Sequence, residues 1–152
     1  MTRYLHPVAG IIAFLTVVVF AASTVTVELL GSKPAIIWVK TAIPWGFVVL
    51  IPALIATNAS GFNRAGRRTG GAVARKKKRA IVITLNGLFV LIPAALFLAV
   101  QARSEQFDVM FYAIQGVELL AGALNITLLG LNIVDGARMT GRLKKSGGAT
   151  PA

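Results

Sequence analysis

What most constrains this chain is a set of four long apolar runs that hold almost no charge. They cover residues 8–30, about 35–56, about 80–102 and about 109–134. A helix rises about 1.5 Å per residue and a bilayer's hydrocarbon core is about 30 Å thick, so about 20 such residues make one crossing. Each run reaches that length. The predicted fold is therefore all-α: an integral membrane bundle of four transmembrane helices. It forms a single domain over residues 1–145, followed by a disordered tail over residues 146–152.

Composition agrees with this reading. Of the 152 residues 56% are hydrophobic and only 14% are charged, whereas a soluble domain carries about 25% charged residues. The charges that remain cluster between the runs, and they set the expected topology. Arg3 precedes the first run. Arg64, Arg67, Arg68 and the cluster Arg75, Lys76, Lys77, Lys78, Arg79 separate the second from the third, and Arg138, Arg142, Lys144 and Lys145 follow the fourth. The opposite connections hold only Lys33 and Arg103, with Lys40 just inside the second run. Basic loops stay in the cytoplasm, so both termini and the middle loop are expected inside. The expected location is a cell membrane, crossed several times. With no long domain outside the spans, the cytoplasmic (inner) membrane of a bacterium fits best.

The short links at 31–34 and 103–108 make helices 1 and 2 antiparallel neighbours, and likewise 3 and 4. The inner loop, Thr57 to about Ala74, is rich in Gly, Ser, Asn and Arg and is expected to be mobile. The first run has the makings of a signal peptide, with Arg3 before it and Ala21-Ala22-Ser23 as a cleavage site. However, it stays apolar well past that site, so the span is expected to be retained. GFVVLIPA at 46–53 echoes GLFVLIPA at 87–94, but it pairs run 2 with run 3. A duplicated hairpin would pair 1 with 3 and 2 with 4, so shared apolar vocabulary explains the echo better.

Several chemistries are excluded. The net charge of +11 does not indicate nucleic acid, because the basic residues flank apolar spans instead of covering a soluble surface. With no cysteine there is no disulfide, thiolate or cysteine metal site. His6 is the only histidine and Met139 the only methionine on its side apart from the initiator, so neither haem nor any other cofactor is expected. No metal site and no catalytic triad can be assembled.

Polar residues inside the runs are the candidate site. Each costs about 2.5–3.5 kcal/mol at a helix centre if it is charged. Glu28, Lys40, Gln115 and Glu118 fall toward the outer face, and Lys40 is expected within salt-bridge reach of Glu28 or Glu118. Asn125 and Asn132 follow Glu118 at intervals of seven and continue its stripe along helix 4, and Asn86 enters from helix 3. Ser23, Thr24 and Thr26 add donors on helix 1. Pro44 and Pro93 each remove a backbone donor and are expected to bend their helices. Arg75, Lys76, Lys77, Lys78 and Arg79 suit anionic lipid headgroups as well as topology, and Trp38 suits an interfacial anchor.

The resulting expectation is a small, non-enzymatic accessory or structural subunit that acts through its helix bundle, alone, as a homo-oligomer or in a membrane complex. The alternative is a small proton- or ion-coupled transporter using Glu28, Lys40 and Glu118. A membrane anchor for a redox complex ranks third.

Overall fold

The computed structural model describes residues 2–65 and 71–139. It is all-helical, with no strand among the described residues. Helix α1 spans Thr2–Leu30 and α2 spans Lys33–Ala65. The third rod is built from α3, Gly71–Asn86, a π-helical turn, Gly87–Leu91, and α4, Ile92–Arg103. Helix α5, Val109–Met139, closes the chain. Four segments of 25 to 31 residues are long and apolar enough to cross a membrane. At about 1.5 Å per residue even the shortest exceeds the bilayer core. This is the pattern of a multi-pass membrane protein.

The four rods form a ring. α1 packs on α2, α2 on α4, α3 and α4 on α5, and α5 back on α1. Among the described residues α1 lies diagonally opposite the third rod, and α2 diagonally opposite α5. One end of the bundle carries the two short links, the other the basic segments. These are called the link end and the basic end below.

Hydrocarbon surroundings give apolar helices little reason to associate, so close packing and internal hydrogen bonds must hold them. Small residues allow it along α1, where Ala9, Gly10, Ala13 and Val17 form a buried stripe. Three apolar layers stack along the bundle. Ala13, Val17, Leu50, Ala53, Ile83 and Leu129 pack toward the basic end. Val39, Ile43 and Ala95 fill the middle. Ile36, Leu98, Ala102 and Phe111 close the link end.

Gly46 is where α2 comes closest to a neighbouring ring: a Cβ there would overlap Phe20. The obstacle is the far end of a ring that can swing, so Gly46→Ala should fall at the low end of the overpacking range, about 1 kcal/mol. Thermal denaturation in detergent should show that loss, and adding Phe20→Leu should recover it. A Gly46→Ala protein as stable as wild type would contradict this packing.

Two expectations about the rods need correction. The second helix does not stop near residue 56, and the segment from Thr57 to Ala74 is mostly helical, through Ala65 and again from Gly71. Hydropathy ends at 56, but local hydrogen bonding does not. Thr57 Oγ1 donates to Ala53 O at 2.7 Å, Ser60 Oγ donates to Ala56 O, and Asn58 Nδ2 donates to Thr84 Oγ1 on α3 at 2.9 Å. Residues 66–70 of the loop and the tail expected over 146–152 lie outside the described residues, as do Arg142, Lys144 and Lys145. Pro44 and Pro52 both sit inside an unbroken α2. At Pro93 the helix widens: the missing N–H leaves Phe89 O without its usual donor, and Ile92 N–H reaches back five residues to Gly87 O.

Candidate functional site

A helix face that carries polar groups through hydrocarbon must satisfy them inside the bundle. Helix α5 does this along one stripe. Glu118, Asn125 and Asn132 all turn inward, with Asn125 only 2% exposed, while Leu124 beside it is 45% exposed. Heptad spacing keeps such residues on one packing seam.

Lys40 is the most deeply buried charge, 1% exposed. Its Nζ donates to Glu118 Oε2 at 2.6 Å and lies 3.5 Å from Thr24 Oγ1. Since α2 and α5 are diagonal in the ring, this ion pair crosses the bundle's centre and ties three helices together. The lysine stem supplies the reach. Depth explains the choice of partner. Counted from the link end at about 1.5 Å per residue, Lys40 lies about 10 Å deep, Glu118 about 13 Å and Glu28 only about 3 Å. The structure joins no ion pair between Lys40 and Glu28. Glu28 Oε1 is buried without a hydrogen-bond partner, and so is Oε1 of Gln115, one turn from Glu118.

Apolar layers flank the pair on both sides along the bundle, and the Glu118 side chain keeps 11% of its surface exposed. Ile36, Leu98, Ala102 and Phe111 lie on the link side of the pair, and Leu50 and Ala53 toward the basic end. Beside Glu118 is a cavity of about 50 Å³ lined by Val17, Phe20, Thr24, Phe47 and Gly122. A water needs about 10–15 Å³ of such space. The cavity therefore has room for a few waters.

One layer deeper, Asn86 Nδ2 donates to Asn125 Oδ1 and to Ala121 O, each at 2.9 Å. Asn125 Nδ2 donates in turn to Ile83 O at 3.4 Å. Asn86 is the last residue before the π-helical turn, so the widened turn and this clasp share one stretch of the third rod. Asn132 lies on the same seam, but its Oδ1 is buried without a partner, and it does not meet Asn86.

At the basic end the cluster divides. Arg79 Nη1 donates to Asp135 Oδ2 at 2.7 Å, with both side chains about four-fifths buried. A Cβ on Gly136 would lie 3.1 Å from Lys76 Nζ, so that ammonium sits against the end of α5. Lys77 also has partners within the protein. Arg75 and Lys78 are exposed. Of the five basic residues expected to meet lipid headgroups, Arg79 is therefore held by a carboxylate instead.

Three groups escaped the sequence reading. Asp135 was the most legible, being the one acidic residue near the basic end. Asn58 carries a bond from α2 to α3. His6 does the same from α1 to α2, where Nδ1–H donates to Thr57 O at 3.0 Å, with Ser60 Oγ at 3.2 Å. Ser60 donates its own proton to Ala56 O, which makes it the acceptor and places the histidine proton on Nδ1. Together with Arg79–Asp135, these bonds clasp three of the four ring contacts at the basic end.

Among the described residues no cluster of three or more His, Cys, Asp or Glu could hold a metal ion. Comparison with known protein families, curated proteins and solved structures finds no match to the chain.

Proposed function

We propose that this chain is a non-enzymatic structural or accessory subunit of a bacterial cytoplasmic membrane. Its bundle supplies a rigid four-helix surface to other membrane subunits or to copies of itself. The observation that carries the proposal is the internally paired Lys40–Glu118 centre. The buried ammonium in the link-end half is internally neutralised by a carboxylate at 2.6 Å, with apolar layers above and below the pair. A carrier needs a site that a solute can enter, and the space beside this pair is small, about 50 Å³.

In this reading the basic end faces the cytoplasm, following the basic-residue asymmetry, and Arg75 and Lys78 rest on anionic headgroups. Reporter fusions at Arg68 and at the C-terminus should then report cytoplasm, and fusions at Ser32 and Glu105 the opposite side. An outside signal from residue 68 would overturn the topology. For function, the full chain in proteoliposomes should let a proton gradient decay no faster than in empty vesicles. Purification in mild detergent should recover a membrane partner or a homo-oligomer in fixed ratio. Accelerated decay would reject the structural reading.

One observation favours a second reading, a small proton- or ion-coupled transporter. Glu28 and Gln115 each hold a buried acceptor oxygen without a partner, in the same half of the bundle as Lys40 and Glu118. Gradient decay that is lost in Glu28→Gln would select this reading over the first.

A further inference from the structure

The lipid-facing side of α2 is not uniformly apolar. Trp38 and Trp45 are 71% and 75% exposed. Together with Ile37, Thr41 and Ala42 they line a shallow, open groove shared with Arg103 on α4. The groove has a polarity axis. Arg103 lies at the link end, in the last turn of α4, and is exposed, with no ion pair to a described residue. Trp38 lies about 7 Å below the start of α2 and Trp45 about 18 Å below it. Thr41 adds no polar demand, because its hydroxyl donates back to Ile37 O at 2.8 Å and Trp38 O at 3.0 Å.

A cation at the rim above an apolar trough descending toward the midplane has the layout of one lipid: an anionic headgroup above an acyl chain. Indoles suit both zones, with a flat apolar body and a single N–H donor. We infer that this groove is a binding site for an anionic phospholipid, its phosphate on Arg103 and one acyl chain along Trp38 and Trp45. The inference rests on the membrane reading above. The site lies at the opposite end from Arg75 and Lys78 and owes nothing to them.

The chain reports on the site directly, because Trp38 and Trp45 are its only tryptophans. The full protein is reconstituted in phosphatidylcholine vesicles, with phosphatidylglycerol or phosphatidylcholine brominated on the acyl chains. Bromine quenches indole fluorescence at short range. Brominated phosphatidylglycerol should compete for the tryptophans about five-fold better than brominated phosphatidylcholine, the advantage of one basic residue near anionic lipid. Arg103→Gln should remove that preference and Arg103→Lys should keep most of it, with unchanged circular dichroism in both. Equal quenching by the two lipids, or a preference that survives Arg103→Gln, would overturn the inference. So would tryptophans shielded from both lipids in a protein that floats with the vesicles, which would mean that a second copy covers the groove. A chain that does not float with the vesicles at all would instead overturn the membrane reading.

Discussion

Lys40→Met alone should destabilise the bundle by about 3–5 kcal/mol, whereas Lys40→Met with Glu118→Leu should return to within about 1–2 kcal/mol of the wild type. The reason is an asymmetry between making and breaking a buried ion pair. Bringing both charges out of water offsets most of their attraction, so replacing both with apolar groups loses little. Removing one leaves the other buried and uncompensated. Glu118 would then face a largely apolar cavity from within α5, with Thr24 as the other polar residue in its lining. Unfolding in mixtures of mild detergent and dodecyl sulfate measures all the variants on one scale. Additive single losses with no recovery in the double variant would mean that the 2.6 Å contact does not couple the two helices.

The second large effect belongs to Asn125. Asn125→Leu removes the acceptor for Asn86 Nδ2 and the donor to Ile83 O. Asn86 keeps its bond to Ala121 O, so the loss should be partial. Interhelical hydrogen bonds in membranes average about 0.6 kcal/mol, and a buried polar group left short of partners adds about 1–3 kcal/mol. A loss of about 2 kcal/mol is expected. Leu124→Ala, on the neighbouring exposed position, should cost a few tenths at most. The same unfolding assay checks both, and the reverse ranking would mean that the polar seam of α5 does not face the bundle.

The helices were legible because hydropathy and length alone decide whether a run can cross a bilayer. Their basic-end limits were not. The helix runs on through residue 65, with Asn58 tied to Thr84 on α3 and the hydroxyls of Thr57 and Ser60 satisfied on carbonyls of the preceding turn, and none of these bonds leaves a trace in a hydropathy window. Lys40 had two carboxylates within nominal reach, and depth along the rods distinguishes them once each helix start is known. That Glu118 lies across a diagonal follows from the ring order, which the short links leave open. The π-helical turn was half legible. Pro93 flags a missing donor, but nothing local dictates that the preceding turn widens to a π-helical one. Arg79 was grouped with its basic neighbours because adjacent charges read as one cluster, although a helix turns each about 100° from the last. That rotation takes Lys78 off the face on which Arg79 meets Asp135, whereas Arg75 shares that face but lies one turn nearer the basic end and is exposed.

The central claim is a bundle closed around its ion pair, and the absence of native cysteine makes it directly measurable. Single cysteines at Gly122, Leu124 and Glu105 are reacted in sealed vesicles with a membrane-impermeant maleimide and, separately, with a lipid-soluble one. Gly122 lines the cavity beside Glu118 and has open space for a side chain, Leu124 points outward, and Glu105 lies in an exposed link. The closed bundle requires the impermeant reagent to modify position 105 alone, the lipid-soluble reagent to reach 124, and neither to reach 122. Modification of position 122 by the impermeant reagent would show an aqueous path to the ion pair and contradict the account.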